Sequence, residues 1–141
     1  MGRATAPSRA RPKRGPKDPF DEPTIQIRID SDDYIANDFV EKVVDNIKEG
    51  HMLYFLNGYI ERNNKFYAEQ YPNNMFTALW DKKSVYQTAH DLMQRRYPPI
   101  AIPGDPMWIH VWHETATTWE KNKGRELTEE AQPDKKRFPF L

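Results

Sequence analysis

In "TIQIRID", Ile25, Ile27 and Ile29 alternate with polar residues, the period-2 pattern of a strand that buries one face. The period then changes. Tyr34, Ile35, Phe39, Val43 and Ile47 recur at helical spacing, with Ser31 at the N-cap position, Asp32 and Asp33 at the positive end of the dipole, and Gly50 as the stop. A helix over 32–48 is predicted. From His51 the chain reads as short aromatic-rich runs separated by Asn57-Gly58 and Asn63-Asn64, residues that accept positive φ. This predicts a three-stranded meander over 52–71 with Leu53, Phe55, Ile60 and Phe66 facing inward. "MFTALW" reads as a short helical piece. Ser84 then caps a second helix with the apolar stripe Val85, Tyr86, Ala89, Leu92 and Met93, and "RRYPP" ends it because a residue before proline is pushed out of the α region. "IAIPGDP" is a strand fragment and a turn. "MWIHVW" alternates as another strand, Met107, Ile109 and Val111 on one face and Trp108, His110 and Trp112 on the other. "TATTWEKNKG" fits a last set of helical turns, and no internal repeat is present.

These elements define an α+β fold, ordered strand, helix, three-stranded antiparallel meander, helix, strand, in one small domain. The chain of 141 residues has room for one such unit with tails. Residues 1–23 carry Pro7, Pro12, Pro16, Pro19 and Pro23 among small and charged residues and have no aromatic before Phe20, so they bury too little to offset the entropy of ordering. They are expected to form a disordered basic arm. Residues 24–120 form the compact domain, and residues 121–141 a polar C-terminal tail whose "FPFL" end is apolar enough to dock.

Absence of cysteine removes disulfides, thiolate metal sites and thiol nucleophiles together. No run approaches the roughly 18 apolar residues of a membrane span, and the start lacks the apolar region of a signal peptide. No membrane association is expected. The formal net charge of zero hides a separation: residues 1–17 hold six Lys and Arg and no acid, while residues 18–120 hold 9 Lys and Arg against 17 Asp and Glu. The arm is basic and the body acidic.

"MWIHVWHE", residues 107–114, is the most chemical stretch. His110, His113 and Glu114 suggest a metal-dependent enzyme, but histidines three apart on a strand point to opposite sides, and "HVWHE" matches no zinc-protease order. No metal and no cofactor are expected. Trp108, His110 and Trp112 on one face suggest a base-stacking platform, which an acidic body would deny its phosphates. Trp108 and Trp112 are therefore assigned to packing or a protein interface. Asp30, Asp32, Asp33 and Asp38 lack the glycine and terminal glutamate of a calcium loop and are read as helix capping. Neither a Gly-rich phosphate loop nor a nucleophile elbow is present.

"DKKSVYQTAHDLMQRR" resembles the lysine-initiated second helix of double-stranded RNA-binding domains, through Lys82-Lys83 and the order helix, three strands, helix over 32–97. The family's loop motif between its first strands has no counterpart, and the helix that the resemblance would bring to RNA is acidic. The strongest functional feature is "RARPKRGPK". Arg3, Arg9, Arg11, Lys13, Arg14 and Lys17 form a single-sign arm suited to nucleic acid or to nuclear import. Its composition also fits a mitochondrial targeting peptide, although the prolines spoil the amphipathic helix.

The sequence alone thus points to a non-enzymatic subunit or adaptor of a larger nucleoprotein assembly, in the nucleus or a nucleoprotein particle, whose body binds protein and whose arm contacts nucleic acid. The rivals are a protein-interaction module with the arm as a targeting signal, a small RNA-binding domain, and the metal enzyme. If the arm neutralises up to six phosphates, duplex-DNA affinity should fall with salt at a log–log slope no steeper than about −5. Deleting residues 1–17 should abolish that binding and leave the melting temperature unchanged, as a fluorescence titration and a thermal melt would read.

Overall fold

The computed structural model describes residues 18–113 and 126–141. In chain order the elements are β1 (Thr24–Ile27), β2 (Tyr34–Ile35), α1 (Phe39–Asn46), β3 (Met52–Phe55), β4 (Asn57–Arg62), β5 (Lys65–Gln70), β6 (Ala78–Asp81), a 3₁₀ helix (His90–Arg95), β7 (Pro99–Ile102) and β8 (Trp108–Val111). They build two four-stranded mixed sheets, ordered β1-β6-β3-β7 and β2-β8-β4-β5. The α+β class holds, but the body is richer in strand than the sequence pattern implied.

The sheets share their chain. β3 and β4 are separated only by Leu56, and each runs parallel to its partner from the later segment, β3 to β7 and β4 to β8. Residues 52–62 and 99–111 therefore cross from one sheet to the other side by side. Leu56 N–H bonds the Ile102 carbonyl at the crossing, and Met107 N–H bonds that of Asn57. The expected meander is corrected accordingly: β4 and β5 form a hairpin, while β3 belongs to the other sheet. Asn63-Asn64 is the hairpin turn, both residues at positive φ. Asn57-Gly58 is no turn; it opens β4.

Gly58 is required there for another reason. A Cβ at this position would fall inside the van der Waals surface of the Trp108 ring. The indole lies over the backbone of β4, stacks on Phe76 with centroids 5.2 Å apart and planes 14° apart, and donates its N–H to the Phe55 carbonyl. Phe39, Val43, Leu53, Phe55, Phe76 and Phe138 complete the surrounding core.

Both helix predictions are corrected. Tyr34 and Ile35 pair with β8 instead of starting a helix, so α1 begins only at Phe39 and Ser31, Asp32 and Asp33 cap nothing. Over the second stretch only the 3₁₀ segment forms, and "MFTALW" supplies strand β6. The helix, three strands, helix order of an RNA-binding domain is therefore absent from the described residues, which removes that resemblance. The last helical turns expected near 115–124 lie outside them.

Residues 126–141 pack onto the body. Around the bridge between Tyr67 and Glu130, Ala68 N–H bonds Glu129 and Ala131 N–H bonds Phe66, covering the β5 edge. The chain then crosses to the start of α1, where Arg137 binds Asp38 at 3.1 Å and the Pro106 carbonyl, Phe138 is buried and Phe140 stacks on Tyr34. Burial works to raise the Asp38 pKa, but the Arg137 hydrogen bond and charge, helped by Lys42, outweigh it and hold the carboxyl below 3.8. A depressed carboxylate stabilises above its unfolded pKa and ceases to do so as pH falls through the folded one. Arg137→Met should therefore destabilise the protein by about 1–3 kcal/mol near neutrality. The part of the deficit owed to Asp38 should shrink below about pH 4, so urea melts of the two proteins should draw closer without converging, because the bond to the Pro106 carbonyl does not titrate.

No helix among the described residues is long and apolar enough to cross a membrane.

Candidate active site

The turn between β1 and β2 and the end of β8 bring together the residues with the most chemistry. β2 pairs antiparallel with β8, Tyr34 opposite Ile109, and continuing that register by one residue sets Asp33 opposite His110. Asp33 is buried. Its Oδ1 accepts the Val111 N–H at 2.9 Å and its Oδ2 lies 3.1 Å from His110 Nδ1. A carboxylate only accepts, so Nδ1 carries the proton and donates it. The other ring nitrogen, Nε2, is buried and has no hydrogen-bond partner among the described residues.

One residue earlier, Asp32 repeats the arrangement at the surface. Its Oδ2 lies 2.8 Å from His113 Nε2, with both side chains about half exposed at 52% and 48%. By the same reasoning Nε2 is the donor, so in the neutral ring the lone pair falls on Nδ1. The turn itself is closed by the Asp33 N–H bonding the Asp30 carbonyl. A buried pair thus pins the turn to β8, and an accessible pair stands above it.

This corrects the expected divergence of His110 and His113: both meet the same turn, each through its own aspartate. His113 lies beyond the end of β8, where strand alternation no longer governs direction. Among the described residues no group of three or more His, Asp and Glu side chains converges on a metal position. Glu114 lies outside those residues. Trp108, His110 and Trp112 are all buried and present no face for stacking bases. Strand β8 is covered on both sides, so its two faces are not the inner and outer ones that alternation implied. The arm residues Arg3, Arg9, Arg11, Lys13, Arg14 and Lys17 lie outside the described residues.

Arg28, which the sequence reading passed over as a functional residue, precedes this turn in the chain and meets Tyr86. The Arg28 guanidinium carbon sits 5.3 Å from the centre of the Tyr86 ring. An open depression lined by Asn57, Gln70, Gly104 and Glu129 includes none of the Asp–His residues.

A family model described as "Putative rhamnosyl transferase" matches residues 8–125. No curated protein and no solved structure matches the chain.

Proposed function

The chain belongs to this rhamnosyl transferase family, and we propose that it acts in moving a rhamnosyl group to an acceptor hydroxyl, with the turn carrying Asp32 and Asp33 as its reacting site. The family's description leans against the non-enzymatic expectation. The observation that carries the site assignment is the doubled carboxylate–imidazole pairing, one pair buried and one accessible.

Glycosyl transfer breaks the bond between the anomeric carbon and the leaving group, whose oxygen keeps the electron pair. A bond forms to the acceptor oxygen, whose proton goes to a base. His113 is suited to that last role, since Asp32 fixes its tautomer and leaves Nδ1 free to accept. Asp33 and His110 are positioning residues, holding the turn and the end of β8 at a fixed separation.

The test is rhamnosyl transfer by the full chain from a nucleotide-activated rhamnose, comparing wild type with Asp32→Asn and His113→Gln. Loss of transfer in both variants at unchanged melting temperature is the expected result, and wild-type rates in both would remove the site from this turn. Nucleic-acid binding by the arm is a separate proposal that rests on residues 1–17 and draws no support from the fold.

A further inference from the structure

We infer that Arg28 and Tyr86 form an oxyanion subsite that takes a phosphate or carboxylate group of the substrate; this rests on the transferase reading above. Arg28 directly follows β1, and its N–H bonds the Thr77 carbonyl, so the strand's alternation extends through it and puts Gln26 and Arg28 on one face. Gln26 pins the neighbouring loop. Its amide donates to the carbonyls of Asp81 and Lys83, and its oxygen accepts the Val85 N–H. With Val85 buried and its N–H held, Tyr86 is presented outward, 61% exposed, against the Arg28 guanidinium.

The guanidinium itself is left open. Among the described residues Arg28 has no carboxylate or hydrogen-bond acceptor on its side chain, and its Nε is buried without a partner. Arg137, Lys42 and Lys83, by contrast, each hold an aspartate. A planar fork stacked on an aromatic ring is pre-organised for bidentate recognition of an oxyanion. Only Ile29 separates Arg28 from the Asp30–Asp33 turn, so an anion held here lies on the segment that leads to the reacting groups. The chemistry fits two sources: a phosphate of the leaving group, whose oxygen gains the electron pair as the anomeric bond breaks, or a carboxylate on an acidic acceptor.

Calorimetric titration of the full chain at low salt, with inorganic pyrophosphate and separately with sodium glucuronate, tests this. Wild type should bind at least one of them, and Arg28→Gln should weaken that binding about tenfold or more. Arg28→Lys should recover part of the affinity, since it restores charge without the fork. Tyr86→Ala should weaken binding while leaving the fold intact, and Arg95→Gln should change nothing. Pyrophosphate binding assigns the subsite to the donor, glucuronate binding to the acceptor. Binding of neither by wild type, or undiminished binding by a folded Arg28→Gln, overturns the inference. Because no turnover is read, that failure is separable from failure of the transferase site, which the transfer rate of Asp32→Asn tests.

Discussion

Trp108→Ala is expected to destabilise the protein by about 3–5 kcal/mol, the usual range for truncating a fully buried tryptophan. The loss has three parts at this position. The ring fills the space left by the missing Cβ of Gly58, it stacks on Phe76, and its N–H satisfies the carbonyl of Phe55 just before the chain changes sheets. Removing it opens a cavity between the sheets and takes one of two donors from the Phe55 carbonyl, which keeps the Asn74 amide. Gly58→Ala attacks the same contact from the other side, because the added methyl must displace either the indole or β4. Overpacking of this kind costs about 1–3 kcal/mol. The two substitutions share one space, so the double variant should be less destabilised than the sum, and urea denaturation of all four proteins would measure the coupling. Additive effects would mean that the Gly58–Trp108 contact does not organise the core.

How far the sequence discloses this arrangement depends on what sets each element. The β1 alternation and the Asn63-Asn64 turn are written locally, and both are found. The meander was misread because Asn57-Gly58 carries the same dipeptide as a hairpin turn but answers a non-local demand, the approach of Trp108 some fifty residues later. The long first helix was misread because Tyr34 and Ile35 fit a helical spacing equally well, yet gain more by pairing with β8. The same error hid the site. Asp32 and Asp33 sit where helix-capping acids belong, and only the pairing of β2 with β8 shows that they meet the histidines of "MWIHVWHE". The sequence reading of this octapeptide settled on packing, and its aspartate partners lie about eighty residues upstream and leave no spacing signature. Arg28 left none either, since an arginine without an acid partner among the described residues is recognised only by surveying what surrounds it.

Asp32→Asn is expected to lower the rate of rhamnosyl transfer by about 10²- to 10⁴-fold, the range for losing a positioned general base. The amide keeps the carboxylate's shape, so the change is in the imidazole. Without an obligate acceptor at Oδ2, His113 is no longer held in the tautomer that leaves Nδ1 free, and the base loses both its orientation and the partner that stabilises its charged form. Stability should move little, because a half-exposed pair of this kind contributes about 0–1 kcal/mol. Asp33→Asn is the contrasting case. Its carboxylate accepts two buried donors, from Val111 and His110, and an amide can offer an oxygen to only one of them while turning an N–H₂ toward the other. That variant should lose about 1–3 kcal/mol together with activity. Thermal melts and single-turnover transfer assays on the two variants separate the roles: a rate defect at wild-type stability for Asp32, and coupled defects for Asp33. Should Asp32→Asn lose stability but transfer at the wild-type rate when folded, the outer pair would be structural as well, and the reacting groups would have to be sought elsewhere in the chain.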